Sequence, residues 1–453
     1  MGSLAGLLRD AGYEVRGSDD AVYPPMSTML RDRGIPILEG YNAGHLDDRP
    51  DLVVVGNVAT RQNPEAVAAG ERGIPFLSMA QAIGQLFLEG RHPIVVAGTH
   101  GKTTTAALMA WVLSSAGRRP SFLVGGVLRN FDRSYDLGDG QDFVVEGDEY
   151  ETAYFDKGPK FLHYRPRTAI LTSVEYDHAE MFPSLEAVKS AFSRFVALVP
   201  RDGLLVACAD DPNVQEVVAG AGAPLETYGL GAGSNWCGRV LGISIEGMDI
   251  EVTAHGTTFG RFTTPLSGLQ NARNVLAVIT VASARGLVAS AIAEGLRSFA
   301  GVRRRQEVRG VAAGVTVIDD FAHHPTAVRL TLDGLRQRFA GQRLWAVFEP
   351  RTNTTRRNVF QDEYARSFEA ADRVLIAAVD HPERAPEGQR FSAERLAGDL
   401  RARGRAALYV PSVADIVEIV AREARHGDVV VAMSNGSFGG VHQRLLDALG
   451  RRA

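Results

Sequence analysis

The sequence predicts an α/β protein of three domains: Rossmann-like over residues 1–90, P-loop ATPase-like over 91–301, and Rossmann-like again over 302–453. Three observations predict it. The chain has 453 residues, too many for one ordinary hydrophobic core. Short β-branched runs such as DLVVVGN, PIVVAGT, DFVVEGD, TAILTSV and GLLVACADD alternate with amphipathic stretches, the pattern of parallel strands covered by helices. That alternation breaks at Gly90 and Pro93, and again at the basic turn GVRRRQEVRG (301–310).

Taken in order, residues 3–12 read as a helix and YEVRGSD (13–19) as the strand after it. A Rossmann-like domain normally opens with a strand and a glycine turn before that helix. Met1-Gly2-Ser3 therefore reads as the end of the turn, with the opening strand missing, and the expectation is a start assigned too late. The central domain opens with the apolar strand at 94–97 and closes with the helical NARNVLAVITVASARG (271–286) and a helix near 288–299. The third alternates through VTVIDD (315–320), RLWAVFEP (343–350), RVLIAAV (373–379) and DVVVAMSNG (428–436).

Composition narrows the class. An apolar fraction of 45% and a charged fraction of 23% are those of a globular protein. The net charge of −4, from 49 basic and 53 acidic residues, gives no footing for nucleic acid or an anionic membrane. Cys208 and Cys237 form no CxxC pair, which argues against a cysteine-based zinc site and for a reducing compartment. No apolar run approaches the roughly 20 residues of a membrane span, and the expected location is cytoplasmic.

The chemistry concentrates at strand ends, which in an open α/β sheet face the ligand crevice. VVAGTHGKTTTAAL (95–108) is a phosphate loop with unusual spacing. The common loop has four residues between its first glycine and Gly-Lys; here only Thr99 and His100 separate Gly98 from Gly101-Lys102. Backbone N–H groups at the helix start suit phosphates. Lys102 would reach the β/γ-phosphates and Thr103 would offer a hydroxyl to Mg²⁺, with Thr104 behind it. Glu146, Asp148, Glu149 and Glu151 follow the next strand. A carboxylate facing a phosphate loop makes sense when it holds Mg²⁺, and Glu146 at the strand end is the leading candidate. Asp148, Glu149 and Glu151 fit a solvated turn as well.

LTSVEYDHAEMF (171–182) repeats the arrangement with Glu175, Asp177 and His178. IDDFAHHPTAV (318–328) does so with Asp319 and Asp320, candidate ligands of a nucleotide ribose or a metal. His323 and His324 are neighbours whose side chains diverge, a poor pair for one ion. The arginines of GVRRRQE (301–307) suit phosphate oxygens.

AGTHGKTTT, VVEGDE, EYDHAE, LQNARN, RRRQE and DDFAHHPT occur in one order over essentially the whole length. In these motifs the chain resembles the ATP-dependent Mur ligases of bacterial cell-wall synthesis. The resemblance implies an amide-forming ligase that releases ADP, with ATP and Mg²⁺ required. By position it implies that Gly98, Thr99, His100, Gly101, Lys102, Thr103 and Thr104 hold ATP phosphates. Thr103, Glu146 and His178 would hold metal, and Asn271 or Asn274 would meet adenine. Arg305 and Asp320 would close on phosphate and ribose. Lys102, His178 and Arg305 are the implied catalytic groups. Ser18 and Asp19 match the uridine-side loop, and Arg351, Ser434 and Asn435 fall where the incoming amine substrate should dock.

Within the family, AVYPPMS (21–27), GDEYETAYFDKGPKFLHY (147–164) and MSNGSFGGVHQRLL (433–446) are similar to a narrower group. That group joins a recovered tripeptide, L-alanyl-γ-D-glutamyl-meso-diaminopimelate, to UDP-N-acetylmuramate in peptidoglycan recycling. The alternative is the branch that adds L-alanine to the same nucleotide sugar. AYFDKGPKFLHY argues for the larger substrate, which needs more docking surface. Two departures stand out. Some family members carry a carbamylated lysine where this chain has Phe192, with Lys189 one turn away, so no carbamate is expected. The usual Gly-Glu-His-Asn reads Gly268-Leu269-Gln270-Asn271, and any role of that His is lost.

Overall fold

A computed structural model describes residues 1–22 and 26–452. Tyr23, Pro24 and Pro25, the centre of the AVYPPMS stretch, lie outside the described residues. The chain forms two compact units, one of residues 1–175, 185–236 and 277–295, the other of 176–184, 237–276 and 296–453.

In the first unit, seven strands lie side by side in the order Arg133–Asp136, Ser121–Leu128, Asp142–Gly147, His92–Ala97, Thr168–Leu171, Leu204–Cys208 and Leu225–Gly229. All neighbours run parallel except the first pair. Ile94, Val95, Val96, Phe143, Val144, Ala169 and Ile170 are buried on both faces, as expected for parallel strands under helices. Helix Lys102–Ser115 lies deep in this unit and buries Ala106, Leu108, Met109, Val112 and Leu113.

The N-terminal residues belong to the same unit. Helix Gly2–Asp10 precedes strand Gly17–Asp19, which pairs in parallel with Ile37–Glu39; Val53–Val55 pairs likewise with Phe76–Ser78. The expected strand YEVRGSD shortens to its last three residues. Two aromatic side chains fasten this region to the larger sheet. Tyr135 packs against Gly6, where a Cβ would stand 2.0 Å from its hydroxyl, and Ser3 bonds Ser134 at 2.8 Å. Phe155 meets Phe76 edge-on, ring centres 5.1 Å apart.

In the second unit, six strands run in the order Glu307–Ala312, Val315–Asp320, Val429–Met433, Leu344–Phe348, Arg373–Ile376 and Ala406–Tyr409. Only the first is antiparallel. Side chains alternate between two cores, as period-two strands demand. Ile318, Ala346, Phe348, Val374, Val429 and Val431 face Val328, Leu332, Tyr364, Phe368 and Leu396. Val317, Trp345, Val347, Leu375 and Val430 face Ile416, Val420, Val441 and Leu445. An antiparallel hairpin, Gly247–Ala254 with Thr257–Thr264, also belongs here. Strand–helix alternation gave no sign of it, although the chain turns at His255-Gly256, both with positive φ.

Among the described residues, no helix is long and apolar enough to cross a membrane.

Candidate active site

In the first unit, register builds the site. Strand His92–Ala97 lies between Asp142–Gly147 and Thr168–Leu171, so that Val96 pairs with Glu146 and Ala97 with Leu171. The phosphate loop leaves Ala97 with acids on one side and residues 172–175 on the other. Gly98 has φ +131, and a Cβ there would stand 2.2 Å from Thr172 Oγ1; no other residue fits that turn. The loop is then laced to its neighbour. Thr99 N–H donates to the Ser173 carbonyl at 2.9 Å, and His100 N–H donates to Ser173 Oγ at 2.9 Å. Glu175 N–H donates to Thr99 Oγ1 at 2.9 Å, and His100 Nε2 lies 2.7 Å from Glu175 Oε2. The shortened loop is thus a rigid one, and the unusual His100 is one of its fasteners.

On the other side, Thr103 Oγ1 donates to Glu146 Oε2 at 3.1 Å. A hydroxyl and a carboxylate oxygen converging at the loop are the hard-oxygen donor set that Mg²⁺ takes, so Thr103 and Glu146 fit the expected ion. Lys102 Nζ donates to both oxygens of Glu149, at 2.8 and 3.2 Å, and to the Gly98 carbonyl at 2.5 Å. Burial alone would lower the Lys102 pKa, but Glu149, Asp148 and Glu146 outweigh it and raise it. The cation is kept in place before any phosphate arrives. Glu149 is therefore not part of a solvated turn: only 3% of its side chain is exposed. Asp148 likewise pairs with Lys160 at 3.1 Å. The hairpin Glu151–Ala153 with Asp156–Pro159 carries Phe155 onto Phe76, so this part of AYFDKGPKFLHY joins the N-terminal region to the sheet.

Ser18 and Asp19 end the first short strand. Ser18 Oγ donates to Glu65 Oε2, while Glu65 Oε1 lies 2.7 Å from His45 Nδ1 and accepts from Asn42 N–H at 3.2 Å. Asp19 Oδ1 accepts from Ala21 N–H at 3.1 Å. Glu65 and His45 went unnoticed in the sequence. The usable signal was Asn63-Pro64-Glu65, a capped helix start that fixes where Glu65 points.

In the second unit, His178 sits at φ +52 and its Nδ1 lies 3.6 Å from Glu180 Oε1, which itself belongs to a carboxylate accepting from Thr354 Oγ1 at 3.1 Å. Burial would raise Asp177, but His324, His178 and His323 hold it down to about 2. His323 and His324 do diverge. His323 Nδ1 meets the Phe321 carbonyl at 3.0 Å, and His324 lies 3.2 Å from the Tyr176 carbonyl while capping helix Pro325–Arg338. In the helix Leu185–Val196, Phe192 is buried and Lys189 pairs with Glu216 in the first unit's own set of contacts.

Asn271 Nδ2 donates to the Ser267 carbonyl at 2.9 Å, and Asn274 Nδ2 to Asn271 Oδ1 at 3.1 Å. Asn274 is buried with its own amide oxygen unpartnered, an acceptor suited to an amino group. Asp320 Oδ2 accepts from Gln306 N–H at 2.8 Å; Oδ1 accepts from Ala322 N–H at 2.8 Å and Thr331 Oγ1 at 3.2 Å. Burial raises the Asp320 pKa against the pull of Arg305 and these donors. Arg305 lies over the Phe321 ring at 4.9 Å.

The ends of three adjacent strands place the remaining residues together. Met433 pairs with both Asp320 and Phe348, so Ser434 and Glu349 emerge side by side. Ser434 Oγ donates to Glu349 Oε2 at 2.5 Å. Arg351 reaches toward Glu349 at 3.8 Å and Asp380 at 3.6 Å, and Arg356 donates to Asp380 at 3.0 Å. A Cβ on Gly436 would stand 2.4 Å from Arg351 Nε, so glycine leaves room for that guanidinium. The buried Asn435 Oδ1 has no partner. Glu349, Asp380 and Arg356 were missed; the acid directly after the RLWAVF run was the available signal.

Three family profiles match in sequence: the Mur ligase family catalytic domain at 1–91, the Mur ligase middle domain at 96–282, and the Mur ligase glutamate ligase domain at 303–436. The chain is 41% identical to the UDP-N-acetylmuramate–L-alanyl-γ-D-glutamyl-meso-2,6-diaminoheptandioate ligase of Escherichia coli, over 100% of this chain and 96% of that one. It is 32% identical to the UDP-N-acetylmuramate–L-alanine ligase of Alkaliphilus metalliredigens, over 98% and 94%. A crystal structure of a murein peptide ligase from Psychrobacter arcticus superposes with a TM-score of 0.74 at 36% identity, covering 99% of this chain and 96% of that one. With relatives of this identity along its whole length, the chain belongs to the Mur ligase family.

Proposed function

We propose that this chain joins L-alanyl-γ-D-glutamyl-meso-diaminopimelate to UDP-N-acetylmuramate, releasing ADP and phosphate, in the recycling of peptidoglycan in the cytoplasm. The observation that carries this reading is the 41% identity over the full length to a relative named for that peptide, against 32% for an alanine-adding relative. The geometry agrees. Free L-alanine offers its reacting amine, one carboxylate and a methyl group, whereas Glu349, Arg351 and Asp380 set three charged side chains beside the buried Asn435 amide oxygen.

The chemistry follows from charge. The lactyl carboxylate attacks the γ-phosphorus of ATP, the bond to the β-phosphate oxygen breaks, and ADP leaves an acyl phosphate. The peptide amine then attacks the acyl carbon, loses a proton, and expels phosphate as the amide forms. Two anions must approach before the first step. Mg²⁺, held by the Thr103 hydroxyl and Glu146, would supply part of the screening. Lys102, already charged and set in the loop, would supply more by turning from Glu149 to phosphate oxygens. Arg305 would take phosphate charge, Asn274 would accept from the adenine amino group, and Arg351 would take a peptide carboxylate.

The test is ADP release from ATP, Mg²⁺ and UDP-N-acetylmuramate with either L-alanine or the tripeptide added. Release with the tripeptide alone is expected. Release with L-alanine alone would transfer the chain to the alanine-adding branch.

A further inference from the structure

Arg304 stands between the arginine assigned to the nucleotide and the loop assigned to the peptide, and it is held on several sides. Its N–H donates to Glu307 Oε2 at 2.9 Å, and its carbonyl accepts from Phe321 N–H at 2.9 Å. Its guanidinium donates to two carbonyls of one loop, Ser434 at 2.6 Å and Gly436 at 2.7 Å. Nε lies 3.6 Å from Asp319 Oδ1, and the guanidinium plane sits 5.2 Å from the Phe321 ring centre. The ring on its far neighbour is shared, since Arg305 also lies over Phe321.

The backbone of this turn is one that side chains rarely adopt: Arg304 has φ +62 and Gln306 φ +47. Such a turn persists only where its surroundings over-determine it. Here they do, because Gln306 N–H is held by Asp320 and Ser434 N–H by the Asp320 carbonyl at 3.1 Å. The turn 304–306, the strand end 319–321 and the loop 434–436 are thus a single hydrogen-bonded piece with Arg304 at its centre.

We infer that Arg304 is a positioning residue that couples the two substrates: through it, nucleotide held by Arg305 presets the Ser434–Gly436 loop for the incoming peptide. This rests on the functional reading above. Arg304 touches neither substrate. One guanidinium nitrogen, Nη2, grips both carbonyls while Nε faces Asp319 and the plane lies over Phe321, and a lysine ammonium in its place cannot keep all of these contacts at once. Coupling of this kind is reciprocal, so the peptide tightens nucleotide by the factor that nucleotide tightens peptide.

The experiment measures tripeptide affinity by calorimetry on the full chain with UDP-N-acetylmuramate and Mg²⁺, with and without a non-hydrolysable ATP analogue. In the wild type, the analogue is expected to tighten the tripeptide by about 5-fold or more. In Arg304→Gln the factor falls to about 1, while the affinity for the analogue alone stays within about 2-fold; Arg304→Lys lies between. A purely structural role would lower melting temperature and both affinities together without changing their ratio, and that result overturns the inference. So does a wild type without coupling, or an Arg304→Gln variant with full coupling. Should Arg304→Gln fail to fold, Arg304→Lys carries the same comparison. If the wild type binds L-alanine and not the tripeptide, the functional reading fails, and the coupling to L-alanine then decides the inference by the same criteria.

Discussion

At the end of strand Asp142–Gly147 the carboxylates face side chains of the phosphate loop, whereas at the end of strand Val315–Asp320 the last carboxylate faces backbone. Glu146 accepts from the Thr103 hydroxyl through one oxygen and from Gly125 N–H through the other, and Glu149 grips Lys102. Asp320 accepts from two backbone N–H groups and the Thr331 hydroxyl. In sequence the two places look alike, a β-branched run followed by acids. The difference is in what the neighbouring chain presents. A side-chain partner can swing away and hand its place to a ligand; a backbone N–H cannot leave without the turn coming undone. Glu149 and the Thr103-facing oxygen of Glu146 are therefore suited to exchange with phosphate or metal, and Asp320 to holding a loop in shape.

The largest effect expected from this contrast is at Lys102. Lys102→Ala should slow ADP release by about 10²–10³-fold, the scale for losing one preorganised charge donor. It should also destabilise the protein, because Glu149 is left buried without its cation. The double variant Lys102→Ala/Glu149→Gln sharpens the point: thermal stability returns and activity does not. Recovery of activity in the double variant would mean that Lys102 serves the fold alone.

At Asp320 the expectation reverses. Asp320→Ala leaves three donors without an acceptor and should cost about 3 kcal/mol in chemical denaturation. Its effect on the Mg²⁺ concentration needed for half-maximal rate should be small. A variant of unchanged stability and shifted Mg²⁺ dependence would make Asp320 the exchangeable acid and erase the contrast.

Glu146→Gln is the converse and a smaller change. The amide keeps one oxygen for either the Thr103 hydroxyl or Gly125 N–H, so stability should fall by about 1–2 kcal/mol. The Mg²⁺ requirement should rise by about 10-fold or more, since a charged ligand oxygen becomes neutral. Titration of activity with Mg²⁺ in parallel with a melting curve separates the two readouts.

The contrast also marks what the sequence could and could not disclose. Strands, their parallel order and the phosphate loop are written in local patterns, a Gly-Lys-Thr turn after an apolar run and β-branched residues at period two. Glu146 stood out because it is the last acid of an apolar strand, one residue before its end at Gly147. Glu149 did not, since its partner Lys102 is 47 residues away and nothing between them reveals the register that joins the two strands. The three arginines at 303–305 read as equals. Both Arg304 and Arg305 lie over Phe321, and only the left-handed turn at Arg304 aims its guanidinium at the Ser434 and Gly436 carbonyls. The donors that hold Asp320 were not legible, since Gln306 and Ala322 reach it through backbone N–H groups that every residue but proline possesses.

The smallest effect comes from the opposite, quiet end of the phosphate-loop strand. His92 begins that strand, with Nε2 2.8 Å from Thr168 Oγ1, and burial, helped by Arg285, lowers its pKa from 6.5 to about 4. Between those values the unfolded chain binds a proton that the folded one refuses. Stability contributed by neutral His92 is therefore complete above about pH 6.5 and is lost as pH falls toward 4. After discounting for the solvent that still reaches the half-buried ring, the loss is about 1 kcal/mol. His92→Gln keeps a hydrogen-bonding partner for Thr168 and removes the titration, so its unfolding free energy should fall less steeply between pH 6.5 and 4 than that of the wild type. ADP release at pH 7.5 should be the same in both, because the change lies a full strand away from Gly98. A shift in activity at that pH would show that the strand transmits what happens at its start to the loop at its end, and that the hydrogen bonds between the loop and Ser173 and Glu175 do not hold it fixed.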